Sequence, residues 1–429
     1  MKIWDKGYNV ESIIQDFTVG NDRVLDHKLA KYDVMGSKAH VQMLHEVGLL
    51  NESDYTALIG GLNDIAQTIE KGEFEIGPEF EDVHSYVEHI LTQKVGEAGK
   101  KIHMARSRND QVLVDLHLFA KDEVKAVLAG VKNLFDVLMN LADEHSQIMM
   151  PGYTHLQIAM PSSFGLFFSA HAESLIDDVL YLQAAYKMAD QNPLGSAAGY
   201  GNSFPINRTR TTELLGFAEL RYNSIGAQMS RGKLEKSVAF ALSSISSTLG
   251  KLASDMCLFM SQNFGFVSLP KELTTGSSIM PHKQNPDFFE VLRGKCNQVQ
   301  AYPVEITQLM SNLTTGYFRD LQLLKESFMN NLDLVKDNLE ATAYVMAKVS
   351  VNKDILEKEM YAPIYSVEEV NKLVMQGKSF RDAYKEVGLQ FLEGDFKPST
   401  EVKHTHEGSV GNLCLEEIKA KMERVSAAF

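Results

Sequence analysis

Eleven prolines in a chain of 429 residues leave long stretches without one, among them 79–150, 162–192, 206–269 and 304–362. Proline inside a helix removes a hydrogen bond and clashes with the preceding turn, so its absence over such lengths permits long helices. The apolar pattern turns permission into expectation. Within 112–141, Leu113, Leu116, Val124, Val127, Val131, Leu134, Leu138 and Leu141 recur mostly three or four apart, on one helix face. Similar patterns run through 162–190, 228–264, 287–312 and 320–350, each too long for a strand. Val/Ile-rich alternating runs with hairpin turns do not compete with them. The sequence predicts an all-α protein: a long-helix bundle at 106–355, an N-terminal helical region at 1–105 and a small helical C-terminal domain at 356–429. Heavy apolar loading on several helices predicts faces that pair between subunits.

Charge and composition narrow the function classes. A net charge of −14 argues against general nucleic-acid binding, which needs a basic face. It leaves room for a small anionic substrate held by local cations and helix ends. Three scattered cysteines, Cys257, Cys296 and Cys414, form no CxxC pair, which predicts a reducing compartment. The N-terminus lacks an apolar signal core and no run of about 18 apolar residues occurs, so a cytoplasmic protein without a membrane span is expected. His84 and His89 are five apart, no HExxH is present, and His404 and His406 read as a polar surface segment. No metal is expected.

Four segments carry the chemistry. Residues 276–286 read Gly-Ser-Ser-Ile-Met-Pro-His-Lys-Gln-Asn-Pro, a flexible start running into Asn285-Pro286-Asp287. Asn at the cap, Pro at the first helical position and an acid in the first turn predict a helix N-terminus there. Its N–H groups, with Lys283, would make an anion site. Taken alone, most such loops only cap a helix. His103-Met104-Ala105-Arg106-Ser107-Arg108-Asn109-Asp110-Gln111 precedes a long helix and could clamp a carboxylate, or simply cap that helix. Pro151-Gly152-Tyr153-Thr154-His155-Leu156-Gln157 reads as a turn opening onto a helix, with a histidine able to move a proton near neutral pH. In 317–325, Gln322 and Lys325 share a helix face with Tyr317 at its entry, a pattern that alone reads as a solvated helix start.

Together these segments resemble the fumarase/aspartase superfamily, whose signature loop Gly-Ser-Ser-x-Met-Pro-x-Lys-x-Asn-Pro is matched at every fixed position of 276–286. Within it the chain is similar to the argininosuccinate lyase family over nearly its whole length. Ser107-Arg108-Asn109-Asp110-Gln111 discriminates best. Gly152-Tyr153-Thr154-His155-Leu156-Gln157, Pro193-Leu194-Gly195-Ser196, Asn223-Ser224-Ile225 and Arg319-Asp320-Leu321-Gln322 follow in the family's order, and Gly377-Lys378-Ser379-Phe380-Arg381-Asp382-Ala383-Tyr384 resembles its last-domain motif. The resemblance implies reversible cleavage of argininosuccinate to arginine and fumarate by a homotetramer with sites shared between subunits, without metal or organic cofactor. It implies Ser278 as base, Lys283 and Asn285 as stabilisers of an aci-carboxylate, His155 as a substrate-polarising or proton-delivering group, and Glu290 as the carboxylate that orients it. It further implies substrate contacts from Asp82, Arg108, Asn109, Thr154, Tyr317, Gln322 and Lys325, with Asp82 toward the ammonium end.

The departures matter as much. Trp4-Asp5-Lys6-Gly7-Tyr8 lacks the family's arginine, and an ungapped alignment puts Asp22 where a substrate-binding serine is usual. The loop Gly195-Ser196-Ala197-Ala198-Gly199-Tyr200-Gly201 departs from the usual pattern and, with no strand before it, is no dinucleotide fingerprint. An N-acylated argininosuccinate is therefore the first alternative substrate. His282-Lys283 is a form seen in adenylosuccinate lyases, the second alternative. A non-catalytic relative of the crystallin kind is the third, against which Ser278, His155, Lys283 and Glu290 all stand.

Overall fold

The computed structural model describes residues 12–429, so Trp4 to Tyr8 lie outside the described residues. Five helices come first: α1 (Ser12–Val19), α2 (Asp22–Asp26), α3 (Ala30–Glu46), α4 (Glu52–Glu70) and α5 (Val83–Val95). The long helices follow where the periodicity puts them: α6 (Arg108–Glu144), α7 (Phe164–Ala189), α10 (Lys233–Phe259), α11 (Asp287–Leu309) and α12 (Leu324–Met346), with short α8 (Arg208–Leu214) and α9 (Ser224–Gln228) between α7 and α10. Then come α13 (Ser366–Met375), α14 (Phe380–Glu393) and α15 (Leu415–Ser426).

Burial explains the bundle. The α6 residues expected to share a face (Leu113, Leu116, Val124, Val127, Val131, Leu134, Leu138 and Leu141) are all buried, and all but Leu113 lie in one cluster with residues of α7, α10, α11 and α12. At roughly 1.5–3 kcal/mol per buried aliphatic side chain, this face outweighs any local propensity in holding the helix. A second cluster joins α3, α4 and α5, and a small third one holds Val370, Ala383 and Val387. Ile418 and Met422 of α15 belong to the bundle's cluster, so the last helix packs back onto the bundle rather than onto α13 and α14.

The direction of each helix decides what sits where. Phe119 meets Phe328, Glu123 pairs with Lys336, and Gly130 lies against Leu339, so α6 and α12 run parallel. Ser243 bonds Gln300 and Gly232 lies against Met310, so α10 and α11 run antiparallel. The starts of α6, α10 and α12 thus share one end of the bundle, and the start of α11 lies at the other. At 1.5 Å per residue, the 37 residues of α6 separate those ends by about 55 Å.

One element is not the expected one. The segment read as a turn opening onto a helix is a β-hairpin, β1 (Met149–Thr154) pairing antiparallel with β2 (Gln157–Ser163). Its two-residue turn is His155-Leu156, with φ of 53° and 58°, the double left-handed pattern of a type I′ turn. The register shifts between Pro151 and Tyr153, and a Cβ at the intervening Gly152 would lie 2.9 Å from the Met160 carbonyl oxygen. The other strands are two-residue segments.

Candidate active site

At the end of the bundle where α6 and α12 begin, a cleft of about 230 Å³ is lined by Val19, Asp22, Asp26, Glu81, Asp82, His84, Arg108, Asn109, Val112, Arg231, Tyr317, Arg319, Gln322 and Lys325. Six of the residues expected to touch substrate meet here: Asp82, Arg108, Asn109, Tyr317, Gln322 and Lys325. Two helix starts build one wall. Asp82 caps α5, accepting the Ser85 N–H at 2.9 Å and its hydroxyl at 2.6 Å. Ser107 caps α6, accepting the Asn109 N–H at 3.3 Å, while the Asp110 carboxylate accepts the Ser107 N–H at 2.8 Å. This box points Arg108 into the cleft, where its guanidinium lies 3.2 Å from Asp82 and 3.3 Å from Glu81 and donates to the Ser85 hydroxyl at 2.7 Å. Arg106, read beside it as a possible second clamp, instead turns inward and donates to the Ser37 hydroxyl at 3.0 Å. Burial lifts the Asp82 carboxyl, but the charges of His84 and Arg108 and the Ser85 bonds outweigh it and hold it below the usual range.

The glycine-rich loop after Pro193 has a structural job. Asp110's second oxygen accepts the Gly195 N–H at 3.0 Å and the Ala197 N–H at 2.9 Å, tying that loop to the start of α6. Burial pushes this carboxyl up to about 6 against those bonds.

The opposite wall comes from the segment before α12. A 3₁₀ turn over Arg319–Leu323 precedes it. The Gln322 amide donates to the carbonyls of Thr18 and Val19 at 2.8 and 3.3 Å, and accepts from Arg319 Nε at 3.0 Å. Lys325 is buried, its Nζ 2.6 Å from Asp26 Oδ1 and 3.1 Å from Asp22 Oδ1. Burial lowers the lysine's pKa, but the two carboxylates more than reverse this and keep it charged. Asp22, singled out only as a departure, Arg319, named only within a matched motif, and Asp26 and Arg231, not singled out at all, are cleft residues. Asp26 gives no sequence signal, because its partner lies 299 residues away.

Behind the cleft, His84 donates from Nδ1 to Asp33 at 2.7 Å, with Asp115 at 3.7 Å. These three form the one grouping with metal-ligand spacing among the described residues. Arg106 acts electrostatically on both aspartates, and the His84 Nδ1–H is directed at Asp33. Burial and the nearby Asp33 charge push the Asp115 carboxyl well above the usual range, and His84 is held protonated, so the grouping offers a divalent cation little attraction.

The other expected residues lie at the far end. The ring of Phe259, where α10 finishes, lies tilted 5.0 Å from that of Phe266, and Phe264 lies 5.4 Å from Tyr153 of the hairpin. The hairpin tip with Thr154 and His155 is exposed, as are Ser278, Lys283 and Glu290. Among the described residues no hydrogen bond or ion pair joins His155 to Glu290. The loop 276–284 is pinched at its base, where the Asn285 N–H donates to the Thr275 carbonyl at 2.9 Å. The expected cap is displaced by one residue. Helix α11 starts at Asp287 with Pro286 before it, and Asn285's amide turns to the Thr275 hydroxyl at 3.4 Å instead of capping. The Ser277 hydroxyl accepts the N–H groups of Ile279 and Met280 at 3.3 and 3.1 Å, so it braces the loop and leaves Ser278 outward. No φ at Gly276 requires glycine there, and a Cβ would meet only the Lys283 carbonyl at 3.9 Å.

Fold and cleft define the class. The family described as Lyase matches residues 10–301, and the chain belongs to it. Within that class it belongs to the argininosuccinate lyase family. Relatives of that name are 55% identical in Bacteroides fragilis, covering 100% of this chain and 96% of theirs, and 41% identical in Thermotoga neapolitana, covering 91% and 98%. Among solved structures, an EDDS lyase bound to formate superposes with TM-score 0.76 at 21% identity, over 98% of this chain and 90% of that one. A fumarate lyase/delta crystallin of Brucella melitensis bound to cobalt gives 0.75 at 18%, over 98% and 96%. These establish the long-helix fold of the fumarase/aspartase type. No helix among the described residues is long and apolar enough to cross a membrane.

Proposed function

We propose that the protein catalyses the reversible elimination of argininosuccinate to arginine and fumarate. The observation that carries this reading is convergence. Residues from 82 to 325, marked as substrate contacts by the resemblance alone, meet in one cleft beside charged partners. The relatives' names agree. Cleaving the C–N bond requires loss of a weakly acidic proton beside a carboxylate, and the resulting carbanion needs fixed cations and donors aimed at that carboxylate. Lys283, Asn285 and the loop N–H groups fill that role in this reading. Ser278 takes the proton, a task for which a hydroxyl needs the same positive surroundings. His155, held by Glu290, polarises the substrate or delivers a proton to the departing nitrogen.

The proposal carries an assembly with it. The cleft holds Asp82, Arg108, Asn109, Tyr317, Gln322 and Lys325, while Thr154, His155, Ser278, Lys283, Asn285 and Glu290 belong to the other end of the bundle. A helix about 55 Å long cannot be folded to join them within one chain. Complete sites therefore need several copies packed with their ends opposed, for which a homotetramer with shared sites is the arrangement proposed. We place it in the cytoplasm, without metal or organic cofactor.

The test is to mix the purified protein with argininosuccinate and follow fumarate by its ultraviolet absorbance, with Ser278→Ala beside it. Fumarate release that the variant loses supports the reading. Silence from a folded protein overturns it and points to an N-acylated argininosuccinate or to adenylosuccinate.

A further inference from the structure

One lysine in the cleft serves two carboxylates. Asp26, 1% exposed, holds Lys325 at 2.6 Å and accepts the Val83 N–H at 3.1 Å with its other oxygen. Asp26 is thus the lysine's structural partner. Asp22 adds a second negative charge 3.1 Å from the same ammonium, on the wall of the cleft. Burial raises its pKa and the charge of Lys325 only partly offsets this, so the carboxylate is under-compensated. The other cations of the cleft are engaged. Arg108 faces Glu81 and Asp82, Arg231 bonds Glu235 and the Leu321 carbonyl at 2.8 Å each, and Arg319 bonds Gln322. Asp82, expected to hold the substrate's ammonium, already has Ser85 on one oxygen and Arg108 near the other.

We propose that Asp22 is the specificity-determining residue of the cleft: it takes the α-ammonium of the substrate's amino-acid end while the substrate's carboxylate takes Lys325, so a free amine is required. The inference rests on the function proposed above. A zwitterion replaces the internal Asp22–Lys325 pair charge for charge. An N-acylated substrate brings the carboxylate without the ammonium, and leaves Asp22 half-buried without a cation. Space does not exclude the acyl group. A second cavity of about 540 Å³ continues past Asp22 and shares Val19, Arg319 and Gln322 with the first. The discrimination is electrostatic, and it opposes the N-acylated reading that Asp22 invites from sequence.

The test compares kcat/KM for argininosuccinate and Nα-acetyl-argininosuccinate in the full-length wild type, Asp22→Ser and Asp22→Asn. The wild type should favour the free amine by about 100-fold, the scale of one charged hydrogen bond. Both variants should lose about 10-fold on argininosuccinate, chiefly through KM, and narrow the preference to a few-fold. Inhibition of the wild type by arginine and by Nα-acetylarginine gives the same comparison independently of how the variants fold, and arginine should be much the stronger. Turnover of argininosuccinate with an unchanged preference in both variants, or equal inhibition by the two products, overturns this inference alone. Turnover of neither substrate by a folded wild type overturns the reading of the cleft and the inference with it.

Discussion

His84 Nδ1 lies 2.7 Å from Asp33 Oδ1, and both side chains are buried behind the cleft. Burial works against the imidazolium, but Asp33 and Asp115 overcome it and lift the pKa from 6.5 to about 9. A group whose pKa is raised on folding stabilises the fold while protonated. Its contribution is full below about pH 6.5 and disappears as pH climbs through about 9. Melting temperature should therefore fall between pH 7 and 10, and His84→Gln should flatten that slope. The variant should also cost about 3 kcal/mol at neutral pH, since it strands buried aspartates. Thermal and urea melts of both proteins across this range provide the check.

Ser278→Ala should reduce fumarate release by at least about 1,000-fold, the usual scale for removing an essential proton acceptor from a coupled set. Ser278 is exposed and the loop's bracing falls to Ser277, so the melting temperature should not move. A variant that lost activity and stability together would count against the assignment.

Separation of the two ends predicts complementation. Arg108→Ala removes a contact at one end of the bundle, and His155→Asn removes a group at the other. Each homo-oligomer should be nearly inactive. Co-refolding the two should restore part of the activity, because some mixed sites draw both ends from intact copies. Mixtures as inactive as their components would argue that each chain completes its own site.

The hairpin tip carries strain that can be relieved. Leu156 sits at φ 58° with its side chain 69% exposed, so its left-handed backbone is not repaid by packing. Leu156→Gly should stabilise the protein by about 1 kcal/mol, read from the shift in urea midpoint at constant slope. A loss of stability would mean that Leu156 makes contacts in the assembled protein.

The long helices were legible because a 3.6-residue apolar period is a local signal, strong in Leu113 to Leu141 of α6. The hairpin was not, because His155-Leu156 occupies a turn where Asn-Gly is the usual cue. At Asn285 the cap preference lost to a competing bond with Thr275, which closes the loop's neck. Tyr317, Gln322 and Lys325 read alone as a solvated helix start, and only the resemblance marked them as a site. Asp26 and Arg231 stayed hidden for a different reason. Asp26 pairs with Lys325, 299 residues on, and Arg231 reaches the cleft through the Leu321 carbonyl, 90 residues on, separations that no window of sequence contains.

The length of α6 has a further consequence. If the two halves of the chemistry sit at opposite ends of a rigid rod, a newly folded single copy holds substrate at one tip and reactive groups at the other, and turns nothing over. Activity then switches on with protein concentration, as copies meet and exchange ends. In that arrangement the helix would act as a spacer that makes the enzyme wait for its own assembly.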